Sequence, residues 1–129
     1  MTATRTTAPP ESASSKIPLD IALHDLYAGL RQLYGPRTPR VVLYGSYARG
    51  EAHAESDIDV LLIFPDPTIR PGAELTHLSY LLADLNLRYE ILVSVVPTTQ
   101  HQYQTADEPF WKNVRREGIE IYERSSTFD

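Results

Sequence analysis

The chain contains no cysteine, a single tryptophan, a single methionine and no excess of positive charge. Each shortage removes a class of chemistry. Without cysteine there is no disulfide, no thiolate metal ligand and no thiol nucleophile. The 12 Lys and Arg residues are outnumbered by 17 Asp and Glu, a formal net charge of −5. A protein that grips DNA or RNA by its phosphates carries a basic stripe. Here the basic residues are scattered and only Lys112, Arg115 and Arg116 cluster, so general nucleic-acid binding is not expected. No apolar run is long enough to cross a bilayer, and no apolar secretory core stands near Met1. A cytoplasmic protein without membrane attachment is expected.

What is present suits one folded domain. In 129 residues, 42% are hydrophobic and 22% charged, enough for a single core. The opening segment is rich in Thr, Ala, Ser and Pro, so residues 1–16 are expected to be a disordered tail. The domain is expected over 17–124, with a flexible end at 125–129. Leu19, Leu23, Leu26, Leu30 and Leu33 recur at helical spacing after Pro18, and Gly35-Pro36 supplies a stop. Arg40–Tyr44 and Asp57–Phe64 read as strands, and Leu75, Leu78, Leu82 and Leu85 mark a helix over about 73–88. Tyr89–Val96 then reads as a strand closed by Pro97. Thr99 could cap a short helix, another opens at Asp107-Glu108-Pro109 and stops at Gly118, and Ile119–Tyr122 alternates like a final short strand. Strands interleaved with helices predict an α/β sandwich, its helices mainly on one face of the sheet.

The densest signal lies between Gly45 and Phe64. Gly45-Ser46 breaks the first strand with residues that permit a tight turn and close approach of a ligand. If Ser46 opens a helix, its free N–H groups and hydroxyl suit an anion such as phosphate. Eleven to thirteen residues on, Asp57 and Asp59 alternate at a strand mouth and project from one face. Two such acids repel unless a cation, a proton or a basic group lies between them. Mg²⁺ is commonly held by one or two carboxylates together with substrate phosphates, which would join the two halves of the motif.

Gly45-Ser46-x-Ala48-Arg49-Gly50, followed after five residues by Ser56-Asp57-x-Asp59-Val60, resembles the signature of the DNA polymerase β-type nucleotidyltransferase superfamily. More narrowly, the chain is similar to the minimal nucleotidyltransferases, often paired with a HEPN-domain partner. The resemblance implies the polymerase-β-like fold, a small mixed parallel and antiparallel sheet. It implies transfer of a nucleoside monophosphate, with AMP from ATP the leading choice, to a hydroxyl of a partner protein. That partner would be a HEPN-type ribonuclease toxin, silenced by the modification and bound in a complex, which makes this chain an antitoxin. Two Mg²⁺ ions are implied, held by Asp57 and Asp59 and by a third carboxylate from a later strand. Glu90, in Tyr89-Glu90-Ile91-Leu92-Val93-Ser94, matches that place, although many relatives carry Asp there; Ser94 is the fallback and would leave the third acid absent.

Gly45 and Ser46 are therefore the expected phosphate contacts, with Arg49 and Ser56 beside them. Arg49 either reaches the triphosphate or partner, or pairs with Asp57 or Glu55 to hold the loop, and the pairing is favoured. Ser56 is expected to brace the carboxylate strand. His53 overhangs the site as a solvated loop residue, while Phe110 and Trp111 read as a hydrophobic anchor rather than a base-stacking platform. Two alternatives differ in class: a catalytically weak or inactive fold that neutralises its partner by steric capping, and an aminoglycoside-type transferase. The second lacks any visible acceptor-binding domain.

Overall fold

A computed structural model of the chain describes residues 19–53 and 55–121. The expected tail at 1–16, the end at 125–129, Pro18 and Tyr122 lie outside the described residues. Helix α1 (Leu19–Tyr34) closes in a 3₁₀ turn at Gly35–Arg37, where the Gly35-Pro36 stop predicts it. Strand β1 (Arg40–Tyr44), the one-turn helix α2 (Ser46–Arg49) and strand β2 (Ile58–Phe64) follow. Then come α3 (Pro71–Tyr89), β3 (Val93–Thr99), α4 (Gln100–Thr105), α5 (Pro109–Glu117) and β4 (Ile119–Ile121).

The four strands form one sheet in the order β3-β2-β1-β4. β1 runs antiparallel to both β2 and β4, whereas β3 runs parallel to β2 after the α3 crossover. The sheet is therefore mixed, as the resemblance implies. Side chains alternate across it. Val41, Leu43, Ile58, Val60, Leu62 and Phe64 face α1 and α3, where Leu23, Leu26, Leu30, Leu78 and Leu85 meet them in the main core. Each buried Leu, Ile, Val or Phe side chain contributes roughly 1.5–3 kcal/mol, so this face carries most of the stability. Tyr34 replaces the expected Leu33 in that stripe: Tyr34 is 7% exposed and Leu33 is 37%. Its hydroxyl donates to Glu74 Oε1 at 2.8 Å, and Arg37 spans from Glu74 to Asp66, pinning the end of α1 to α3. The opposite face is thinner: Val42, Leu61, Ile63 and Val114 form a small cluster under α5, with Tyr44, Val96, Tyr103 and Trp111 around it.

Two elements depart from the sequence expectation. The helix expected to end near Arg88 runs on, so Tyr89 is its last residue and Glu90 its C-cap, with φ 54° and ψ 41° and its N–H donating to Asn86 O. Glu90 is thus not on a strand. It is a left-handed cap, a position usually given to Gly or Asn. The strand begins later, at Val93, and continues past Pro97 to Thr99. β3 is an edge strand, where a missing N–H on the outer side costs no ladder bond.

Candidate active site

The site is assembled where β1 ends and β2 begins. Gly45 adopts φ 77° and ψ −156°, a region essentially confined to glycine. A Cβ there would overlap Asp59 Oδ2 and lie 3.2 Å from Asp59 Cγ. The turn and the carboxylate are therefore in direct apposition, and glycine is required twice over, for its dihedral angles and for the room it leaves. Ser46 starts α2, whose first N–H groups have no intrahelical acceptor. Glu51 N–H donates to Ser46 O at 2.9 Å, closing the loop back on the turn.

Asp59 sits in the first row of the sheet, paired laterally with Tyr44 on β1 and Ser94 on β3. Its carboxyl is raised above the usual range by burial and by the charge of Asp57, with Arg49 pulling the other way. The same burial, with Asp59 nearby, pushes the Tyr44 phenol up to about 12. Asp57 is exposed at the mouth of β2, and the Ile58 N–H donates to Leu92 O at 2.9 Å, fixing the approach to β3. Ser56 braces the preceding loop. Its hydroxyl accepts from His53 N–H and its own N–H donates to His53 O, both at 2.9 Å. His53 Nδ1 in turn accepts from Glu55 N–H at 3.3 Å, so the imidazole is a loop brace.

Arg49 is committed to pairing, but with other partners than Asp57 or Glu55. Its guanidinium meets Glu51 at 2.9 Å and Glu117 at 3.3 Å, tying α2 to the end of α5. Glu90, Asp57, Ser56, Glu55, Asn86 and Tyr47 line a recess of about 300 Å³ beside the strand mouth. Asp59 is not in its lining. Among the described residues no three acidic or imidazole groups converge closely enough to hold one cation, so Asp57, Asp59 and Glu90 do not form a trio. The register instead pairs Ser94 with Asp59, in the row where a third acid on the sheet would stand. Ser94 is the fallback position of the sequence reading, and the start of β3 at Val93 is what brings it level with Asp59. A divalent cation fits this donor set as a half-site: two repelling carboxylates whose charge it would relieve, completed by phosphate oxygens. Tyr44 is the residue the sequence reading misses. It looks like an ordinary strand end, and only its pairing with Asp59 marks it.

This apposition of a glycine turn and paired carboxylates belongs to a known class. Residues 26–117 match the nucleotidyltransferase domain family, and the chain is a member of that family. It is 26% identical over 102 residues to "Putative protein adenylyltransferase MJ0604" of Methanocaldococcus jannaschii, covering 78% of this chain and 95% of that protein. It is 38% identical over 65 residues to protein adenylyltransferase MntA of Thermococcus cleftensis, covering 50% of this chain and 62% of that one. Among solved structures it shares its fold with a toxin–antitoxin complex crystallised with AMP-PNP, at a TM-score of 0.54 and 20% identity over 81% of this chain and 78% of that one. No helix among the described residues is long and apolar enough to cross a membrane.

Proposed function

We propose that the chain transfers AMP from ATP to a hydroxyl of a partner protein, the HEPN-type toxin of a toxin–antitoxin pair, and so acts as its antitoxin. The observation that carries this reading is the contact between the Gly45 turn and the Asp59 carboxylate, which brings a phosphate cradle against an acid pair. Relatives named as protein adenylyltransferases, and a toxin–antitoxin complex of the same fold holding AMP-PNP, support the nucleotide and the acceptor class.

The N–H groups of the Gly45-Ser46 turn and the Ser46 hydroxyl bind the β- and γ-phosphates. Asp57 and Asp59 are the residues that would hold Mg²⁺, which supplies charge neutralisation and in-line alignment for phosphoryl transfer. Gly45 packs against the Asp59 carboxylate, and Tyr44 pairs with Asp59 across the sheet. Arg49, held by Glu51 and Glu117, sets the field around it without leaving its partners. Glu90 and Ser56 shape the recess beside Asp57. The acceptor oxygen bonds to the α-phosphorus as its proton passes to solvent, the bond from that phosphorus to the bridging oxygen breaks, and pyrophosphate leaves. Positioning accounts for most of the rate in such a site.

A second reading has one observation in its favour: Ser94, not a carboxylate, stands beside Asp59. On that reading the fold caps its partner sterically and turns over weakly or not at all. Incubation of the chain and its genomic-neighbour protein with labelled ATP and Mg²⁺ separates the two. A mass gain of one AMP on the neighbour, lost with Asp57→Ala, is the expected result. A stable complex with no gain in mass would leave the capping module standing.

A further inference from the structure

On the α5 side of the site, the sheet ends in a wall of aromatic rings. Tyr44 is the last residue of β1 and pairs laterally with Asp59, so its side chain stands on the same face as that carboxylate. Its ring meets Phe110 edge to face, with centroids 5.5 Å apart and planes at 88°. Phe110 meets Trp111 in the same manner, at 5.0 Å and 87°. Phe110 lies one turn before Val114 on α5, so both side chains point toward the sheet. Val114 is 1% exposed, yet Phe110 is 39% exposed. An apolar ring that faces the sheet and stays open borders a space the described chain does not fill.

Against the sequence reading of Phe110 and Trp111 as a mere anchor, we propose that Phe110, backed by Tyr44 and Trp111, is the stacking surface for the nucleobase of the bound nucleoside triphosphate and so sets base preference. The inference rests on the nucleotidyltransferase reading above and extends it to the nucleoside half of the ligand. Tyr44 directly precedes Gly45, so the wall begins one residue from the phosphate turn. Phosphates seated on that turn leave the nucleoside to reach the next available surface. The recess on the Asp57 side is the poorer choice. It carries the carboxyl groups of Glu55, Asp57 and Glu90, and its one ring, Tyr47, already packs against the main core. Stacking on a ring tolerates every base and grows with the overlapping area. The preference is therefore for purines over pyrimidines, with little discrimination between ATP and GTP.

The test is calorimetric titration of the full chain, in Mg²⁺, with ATP and with inorganic tripolyphosphate. Phe110→Ala removes the ring; Phe110→Leu removes it while keeping apolar packing against Tyr44 and Trp111, which guards the fold. Both variants are expected to bind ATP about tenfold more weakly, to lose the purine preference and to bind tripolyphosphate as the natural chain does. Phe110→Trp restores ATP binding. Trp111 is the only tryptophan, so its fluorescence should respond to ATP and not to tripolyphosphate. Unchanged ATP affinity in both variants overturns the inference. So does unchanged ATP affinity with a raised KM for the protein acceptor, which would assign the ring to the acceptor. If the natural chain binds neither ligand, the parent reading falls and this one with it.

Discussion

The two faces of the sheet are built from alternate residues of the same strands and have opposite characters. Along β2, Ile58, Val60, Leu62 and Phe64 are fully buried beneath two long helices. The intervening positions begin with Asp59 and only then become apolar, at Leu61 and Ile63, under the shorter α5. The thick face supplies stability; the thin face leaves its first row, Tyr44, Asp59 and Ser94, free for chemistry. A strained turn and a repelling acid pair persist on the thin face because the other side of the same strands holds them in place.

The sharpest break of this contrast is Asp59→Asn. It should lower AMP transfer by about 1000-fold or more, since several kcal/mol of charge stabilisation depend on that group. Its thermal midpoint should stay level or rise, because a half-buried carboxylate facing Asp57 is neutralised; calorimetry beside a transfer assay reads both. A marked fall in the midpoint would make Asp59 structural. Gly45→Ala joins the two properties. Leaving the glycine-only dihedral region costs about 1–3 kcal/mol, and the new Cβ displaces Asp59, so both urea midpoint and transfer should fall. Ser94→Asp tests the gap in the first row directly. Adding a carboxylate beside Asp59 should tighten Mn²⁺ binding, read by paramagnetic titration, by about tenfold as one further charged ligand. No tightening would mean that position 94 does not face the ion. Smallest is Glu90→Gly, which relieves the left-handed cap by about 1 kcal/mol. It should raise the thermal midpoint and leave Mn²⁺ affinity unaltered, whereas a loss of affinity would return Glu90 to the metal site.

Much of this was legible in the chain. Leucines at helical spacing located α1 and α3, and Gly35, Pro65 and Gly118 marked where elements stop. The spacing from Gly45 to Asp59 indicated the turn and the acid pair before any contact was visible. The largest failure lies at one junction. Tyr89-Glu90-Ile91 alternates like a strand, and a helix end without glycine gives no local warning, because α3 overrides the preference through its packed face. With Glu90 taken up as the cap of α3 and β3 starting at Val93, Ser94 is the residue that pairs with Asp59. The partners of Arg49 were also beyond reach. Glu117 lies 68 positions away, and only the return of α5 across the sheet brings it near.

The order of the strands bears on how the protein is made. β1 sits between β2 and β4, and Arg40 is joined to Glu120 by a two-pronged ion pair across 80 positions. The helical face can largely close once β3 has left the ribosome, since its buried residues all precede residue 100 and only the half-buried Ile121 joins it later. The ring wall and the Glu117 tether on Arg49 come last in the chain. Long-range pairings of this kind form late. During synthesis the chain therefore becomes a folded body before it becomes a complete site, and a truncated product ending before α5 would be folded on one side and mute on the other.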